Sequence, residues 1–447
     1  MGLGDQNEQC RDANVQARVA QFQLYSSLLS GIFSALVSPY LGSLSDRIGR
    51  KRVMLYASSG FFLDLLITTA VGKFPDTLSF YWMLLGSFLD GMCGSFTMGM
   101  GISLAYATDC TSPNRRNVAL GFFHGILFSG LAVGPILVGG LMKWADGIMI
   151  AFYFAIGCYI FFFLFISCLV PESVARERQV QAQEKYRAKK FERRDKKWSD
   201  VLTISNLFKP FAIFNPKGKG SSGALRRNLI LLASIDTIMF GVAMGTMGVI
   251  LIYPQYVFGW DEMAASQYLS IVNTCRCIGL FIVLPTITRL VRGPVKATEK
   301  FYHGGSDMLD IRLIRGAIFL DMLGYLGYAT AMRGWMMIVA GMIAAFGGIG
   351  SPTLGSAITS HVPAEKTGQV LGAMSLLHAL ARVISPLLFN TIYSLTVGVF
   401  TSAVFIGLGS LFLVVFVMSW FLKPGSKLPV LNLPFRDVML ICRYSFL

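Results

Sequence analysis

Eight ionisable residues lie inside long apolar stretches of this chain: Asp64, Asp90, His124, Asp236, Arg276, Asp321, His378 and Arg382. Charge in an apolar surrounding is costly, so such residues are functional candidates by default. A carboxylate pushed toward its neutral form by burial can carry a proton, and Asp90 is the first choice for that role. Arg276 and Arg382 read equally well as internal salt-bridge partners or as contacts for a substrate. His378 and Arg382 are four residues apart, which places them on one face of a helix. A lone histidine such as His124 is more often a hydrogen-bonded interior residue. No Walker loop, G-x-S-x-G or H-E-x-x-H pattern occurs, so nothing here points to ATP hydrolysis or to these hydrolase chemistries.

The elements that must hold these residues are apolar spans. The chain has 447 residues, 54% hydrophobic and 14% charged, against roughly 25% charged in a soluble domain. Stretches long enough to cross a bilayer fall near 19–41, 53–72, 80–107, 118–142, 148–170, 228–257, 264–289, 312–331, 335–360, 368–394 and 398–422. That makes eleven. Lys and Arg in alternate connections number 32 on one side and 5 on the other, with Arg276 and Arg382 inside spans. The first side is therefore cytoplasmic. The net charge of +15 could suggest a nucleic-acid partner, but +9 of it sits in residues 171–227, which argues against one. Cys93, Cys158, Cys168, Cys275 and Cys277 fall in apolar runs, where cysteine is a small buried hydrophobe. Cys275-x-Cys277 has no partner pair and the wrong spacing for zinc. No disulfide framework, metal site or cofactor is expected.

Between the first two spans runs Gly42-Ser43-Leu44-Ser45-Asp46-Arg47-Ile48-Gly49-Arg50-Lys51-Arg52. Glycines at 42 and 49 permit close helix approach and a tight turn, and Asp46 can sit against a helix amino-terminus. This order of Gly, Asp and Arg resembles the loop between the second and third helices of the major facilitator superfamily. The resemblance implies an all-α membrane protein with two helical bundles. It also implies that Asp46 meets the helix beginning near Thr367–Gln369, and that Arg50 pairs with Asp109. Such contacts would tie the halves together while a carrier faces outward and break for it to face inward. The plainer reading is that these charges only obey the topology rule.

In that family the loop follows the second helix of twelve, whereas here it follows the first visible span. The expectation is that family helix 1 is missing, leaving about eleven helices. Residues 1–170 would form an amino-terminal bundle of family helices 2–6, and 171–227 a basic cytoplasmic linker. Residues 228–422 would form a bundle of helices 7–12, and 423–447 a tail. Asp90, His124, Asp236, Arg276, His378 and Arg382 then belong to helices that line a central site near the midplane. Asp64 and Asp321 fall on scaffold helices and read as structural.

The segment Tyr106-Ala107-Thr108-Asp109-Cys110-Thr111-Ser112-Pro113-Asn114-Arg115-Arg116-Asn117 looks like the helix 4–5 loop of fungal facilitators similar to tetracycline exporters and to the proton-coupled folate transporter group. The next helix carries Gly121, Gly130, Gly134-Pro135 and Gly139-Gly140, resembling the antiporter motif of drug:proton exporters. Val138 departs from that motif. So does Ser87, which stands where those exporters have an arginine four residues before Gly91. Glycines at 241, 245 and 248, and at 341, 347, 348 and 350, with Pro352, allow bending or close packing of two further helices.

The linker from 173 to 198 is a good basic helix, read as a solvated linker that would also touch anionic lipid headgroups. Residues 215–223 are a flexible stretch, and 431–447 are too broken to cross. The reading that follows is a multi-pass secondary transporter of a small solute, with the proton as coupling ion. The alternatives are a non-transporting sensor on the same fold and an inactive truncated carrier. A membrane-embedded enzyme would need paired catalytic groups, and none is found. Substrate and direction are not legible.

Overall fold

The computed structural model describes residues 13–112, 115–145, 147–192, 209–214, 223–260, 262–293 and 306–424. The expectations placed on 193–198, 215–222 and 431–447, and on Pro113 and Asn114, lie outside these residues. Every regular element among them is helical.

Helix α1 (Ala13–Ile48) and α2 (Arg50–Lys73) are separated by one residue, Gly49. Its φ of +102° is open to glycine and strained for any side chain. The expected single span at 80–107 is divided into α3 (Trp82–Met92) and α4 (Ser95–Asp109). The division falls at Gly94, with φ +95°, and Ser95, with φ +53°. Then come α5 (Arg116–Trp144), α6 (Met149–Cys168) and the linker helix α7 (Arg176–Glu192), with a short 3-10 turn at Lys209–Phe214.

The second half begins with α8 (Gly223–Phe258), which runs unbroken through Gly241, Gly245 and Gly248. A Cβ at Gly241 or Gly245 would press on Ser385 or Phe389, so these glycines serve close packing rather than a bend. Helix α9 (Glu262–Ile278) passes through a π-turn at Gly279–Val283 into α10 (Leu284–Arg292). Helices α11 (Met308–Thr330), α12 (Gly334–Gly347), α13 (Gly350–Ser360), α14 (Thr367–Thr396) and α15 (Ala403–Trp420) complete the order. The expected span at 335–360 is thus also interrupted, at Gly348 and Ile349.

Nine stretches among the described residues are long and apolar enough to cross a membrane by length and composition. The two others expected from sequence are helical but differ. One is the divided α3–α4 pair, each part short. The other is α11, which carries Asp310, Arg312, Arg315 and Asp321.

The largest buried cluster lies in the second half, where Ile235, Tyr268, Ile318, Tyr328, Leu354 and Phe405 meet. The Tyr268 and Tyr328 hydroxyls are 2.7 Å apart within it. The first half has a smaller cluster around Leu41, Val53, Met98 and Ile102. Helix α6 buries only Ile166 and turns phenyl rings such as Phe161 and Phe165 outward, as a lipid-facing helix would. The halves join where α1 and α4 pack on α14 and where α5 packs on α9 and α13.

Candidate functional site

Two contacts bind the halves on the Lys/Arg-rich side. In the first, the Asp46 carboxylate accepts hydrogen bonds from the backbone N–H groups of Gly368 and Gln369, each at 3.1 Å. These groups belong to the first turn of α14, where unsatisfied donors and the helix dipole favour an anion. Arg50 lies 2.8 Å from Asp46, donates its Nε–H to Asp109 at 2.9 Å and bonds Ser45 Oγ at 2.6 Å. Arg50, Asp46 and Asp109 are all buried. Close approach depends on glycine: a Cβ at Gly42 would collide with Gly368 and lie 2.7 Å from the Gly372 Cα.

The linker comes back onto this contact. Glu172 accepts from the N–H of Arg50 at 2.7 Å and of Lys51 at 3.2 Å, capping the start of α2. A side chain at Gly49 would strike that same carboxylate. Lys51 reaches the Ser167 carbonyl at 2.8 Å. On α7, Arg178 approaches Asp109 at 3.7 Å and Gln183 donates to the Arg47 carbonyl at 2.9 Å. The Arg47 guanidinium sits 3.9 Å from the centre of the Tyr186 ring.

The second contact joins the start of α5 to the ends of α10 and α11. Arg115 donates to the Gly293 carbonyl at 2.7 Å. Asn117 donates to Asp310 at 3.3 Å and to Thr288 at 3.4 Å, and accepts from Arg292 at 3.4 Å. Arg292 pairs with Asp310 at 3.0 Å. Arg116 makes long contacts of 3.5 Å to Thr359 and Ser360.

Deeper in, a polar ribbon crosses between the halves. Ser30 donates to Asp90 at 2.7 Å and lies 3.3 Å from Ser95. Arg382 reaches over from α14 and donates to Ser95 Oγ at 3.0 Å, at the break between α3 and α4. One turn away, His378 Nε2 is 2.9 Å from the Asp236 carboxylate, and its ring stacks on Phe240 at 4.2 Å. His124 on α5 has Asp236, His378 and Arg276 as electrostatic neighbours. Its Nε2 is 3.4 Å from Ser351 Oγ, at the start of α13. Arg276 lies over the Phe128 ring at 4.6 Å, against the second break at Gly348.

Along α5, contact with the second half fades with distance from the basic side. Cβ atoms at Gly121 and Gly125 would meet Leu284 and Phe281 of the other half. At Gly130, Gly134, Gly139 and Gly140, further along the same helix, they would meet nothing within 4 Å.

The sequence model of the Major Facilitator Superfamily matches residues 13–386. The chain belongs to the major facilitator superfamily. It is 29% identical over 431 residues to the MFS-type transporter avaJ of Aspergillus versicolor, covering 94% of this chain and 81% of that one. It is 25% identical over 396 residues to the class C tetracycline resistance protein of Escherichia coli, covering 86% and 83%. Among solved structures, the human organic anion transporter MFSD10 (TETRAN) superposes with a TM-score of 0.67 at 18% identity, over 89% of this chain and 83% of that one. This facilitator is thus a multi-pass membrane transporter of the superfamily.

The facilitator fold brings most of the candidate residues into three places. Asp46, Arg47, Gly49, Arg50, Lys51 and Asp109 share the first contact. Arg115 and Arg116 stand at the second. Asp90, Asp236, His378 and Arg382 follow the ribbon, with His124 and Arg276 beside the second break. Gly130 and Gly134 stand apart, as does position 135 next to them on α5. Asp64 packs against Gly86, and Asp321 against Gly347. Ser87, where the exporter motif has arginine, is 2.5 Å from Ser26 Oγ.

Sequence reasoning passed over Glu172, Asn117, Asp310, Arg292, Tyr186 and Ser95. Glu172 had a signal, being the first acid beyond a span and directly after Pro171. Asp310 and Arg292 flank a basic connection where an acid stands out. Nothing marks Ser95 among the many small residues of its helix.

Proposed function

We propose that this facilitator moves a small solute by alternating access, with the proton as coupling ion. The observation that carries the reading is the gradient along α5. The halves are fastened at the cytoplasmic side by buried charge and close glycine contacts, and along α5 the glycines beyond Ser129 face open space. That is the arrangement of a carrier facing outward. In this reading the bundles of residues 1–170 and 228–422 are the rocking bodies, joined by the 171–227 linker. The Asp46–Arg50–Asp109 cluster is the cytoplasmic latch, and α5, with Gly130, Gly134 and Pro135, moves against the second half. The class C tetracycline resistance protein and the organic anion transporter among its relatives are consistent with a small organic solute.

Proton coupling draws support from Asp90. One of its oxygens accepts from Ser30, and the other is buried with no hydrogen-bond partner among the described residues. That orphaned oxygen is the geometric feature on which the carrier role is proposed. The ribbon through Ser30, Ser95 and Arg382 leads from Asp90 toward the Asp236–His378 pair. The test is solute flux in proteoliposomes under an imposed pH gradient, with tetracycline among the solutes. Asp90→Asn should abolish gradient-driven accumulation and leave exchange at equal pH. Intact proton-driven transport in that variant would overturn the carrier assignment. A second reading, a non-transporting sensor, has one observation in its favour, the docking of α7 on the latch. It predicts no flux of any solute.

A further inference from the structure

We propose that the central site of this protein binds a small aromatic carboxylate, held between Arg276 and the start of α13. The proposal rests on the transporter reading above and names its substrate class. Each of the two membrane helices interrupted at glycine is met at its interruption by an arginine from another helix, and the two arginines are in different states. Arg382, at the break before α4, is committed: it donates to Ser95, which lies in the hydrogen-bonded chain to Asp90. Arg276, at the break before α13, is not. Its Nε is buried with no hydrogen-bond partner among the described residues. Asp321, the acid in its electrostatic reach, packs against Gly347 instead.

The chemistry of the vacant donor selects the ligand. A carboxylate binds a guanidinium side-on through two parallel N–H groups, one of them Nε. A buried guanidinium N–H left unmade is unfavourable, so a ligand that supplies two oxygens there gains what the protein alone does not satisfy. One neighbour favours a negative charge there. The eleven-residue helix α13 begins at Gly350, and its amino-terminal end is electropositive. His124 holds Ser351 at that end: its Nδ1–H donates to the Leu120 carbonyl at 2.9 Å, so its Nε2 accepts from Ser351 Oγ at 3.4 Å. Gly348 leaves room beside the guanidinium, since a Cβ there would sit 3.0 Å from Arg276 Nε. The wall is aromatic. Phe128 lies under the guanidinium, its ring centre 4.6 Å from the guanidinium carbon. A flat ring bearing one carboxylate matches both the donor and the wall.

The test uses the purified full chain and three probes of one shape: benzoate, benzamide and benzylamine. Benzoate should raise the thermal midpoint at millimolar concentration, and the neutral and cationic probes should not. Arg276→Gln should weaken benzoate binding by about tenfold or more, the loss expected of a charge-assisted pair. Arg276→Lys should recover part of it, and Phe128→Leu should weaken it less. Benzoate without effect on the wild type, benzamide or benzylamine binding as well, or Arg276→Gln binding normally would each overturn the proposal. If Arg276→Gln does not fold, the charge preference of the wild type and the Phe128→Leu variant decide. Flux assays separate the two readings. Benzoate bound with no flux of any solute in proteoliposomes would leave the anion site standing and sink the transporter reading. Carriage of benzylamine with no benzoate binding would do the reverse.

Discussion

The two halves are fastened on their basic side at two points, and the chemistry of the two points differs. At the first, an ionised carboxylate sits on a helix amino-terminus and shares a fully buried arginine with a second acid, at 2.8–3.1 Å throughout. At the second, the bridging group is a neutral amide, Asn117, with contacts of 3.3–3.4 Å, helped by Arg115 on the Gly293 carbonyl. The salt bridge present there, Arg292–Asp310, lies within one half, as do the Arg50 pairs at the first; the charge that crosses at the first is Asp46, on the Gly368 and Gln369 N–H groups. Charge-assisted bonds are shorter and roughly twice as strong as neutral ones. The first point should therefore set how long the two halves stay together, and the second should mainly set their register.

The sharpest way to break this comparison is Arg50→Ala. It leaves Asp46 and Asp109 buried without their shared cation. Removing one partner of a buried ionic group costs about 3–5 kcal/mol, and here two acids lose it. The expected outcome is a large drop in thermal midpoint, with cytoplasmic labelling of a cysteine placed at Ser375. In the present structure Ser375 is buried and donates to the Thr97 carbonyl across the interface. If Arg50→Ala left Ser375→Cys protected from an impermeant maleimide, the first point would not be what holds the halves.

Asn117→Ala tests the other side. It removes the crossing amide but leaves Asp310 with Arg292, so no buried acid is stranded. The loss should be about 1–3 kcal/mol, toward the lower end. Labelling at Ser375→Cys should rise modestly and remain below that of Arg50→Ala. The double variant in a thermodynamic cycle would show whether the two points act together, as parts of one rigid closure should. An Asn117→Ala effect equal to that of Arg50→Ala would reverse the ranking.

The difference between the points also explains what could be read from the chain. The first point announces itself, because a short run packs Gly, Asp and Arg between two apolar spans, and charge there needs an explanation. Once that run is set beside the family's loop, the helix beginning near Thr367–Gln369 and the acid Asp109 follow as partners from the resemblance. The second point is spread over Asn117, Thr288, Arg292 and Asp310, residue types that are common at span ends and carry no fixed order. The two helix breaks were hidden for a different reason. Hydropathy is blind to backbone direction, so 80–107 reads as one span although Gly94 and Ser95 turn left-handed in its middle. Glycines at 347, 348 and 350 were visible as possible bends, but nothing in their spacing says which would end a helix. The pairing of His378 with Asp236 was half legible: the face of His378 and Arg382 follows from helical period, while the acid opposite comes from packing.

The smallest effect belongs to the linker. Helix α7 lies against the first point through Tyr186 on the Arg47 guanidinium and Gln183 on the Arg47 carbonyl. Tyr186 is 45% exposed, and a cation–π contact at such a site contributes about 0.5–1 kcal/mol. Tyr186→Ala should therefore barely move the thermal midpoint. Its informative readout is kinetic: if the first point opens in each transport cycle, as proposed, a helix strapped across it should slow that opening. Maleimide labelling at Ser375→Cys should speed up by about two- to fivefold, the factor that such an energy implies. Tyr186→Phe, which keeps the ring, should label at the wild-type rate. Equal rates in Tyr186→Ala and Tyr186→Phe would mean that α7 rests on the first point without bearing on its opening.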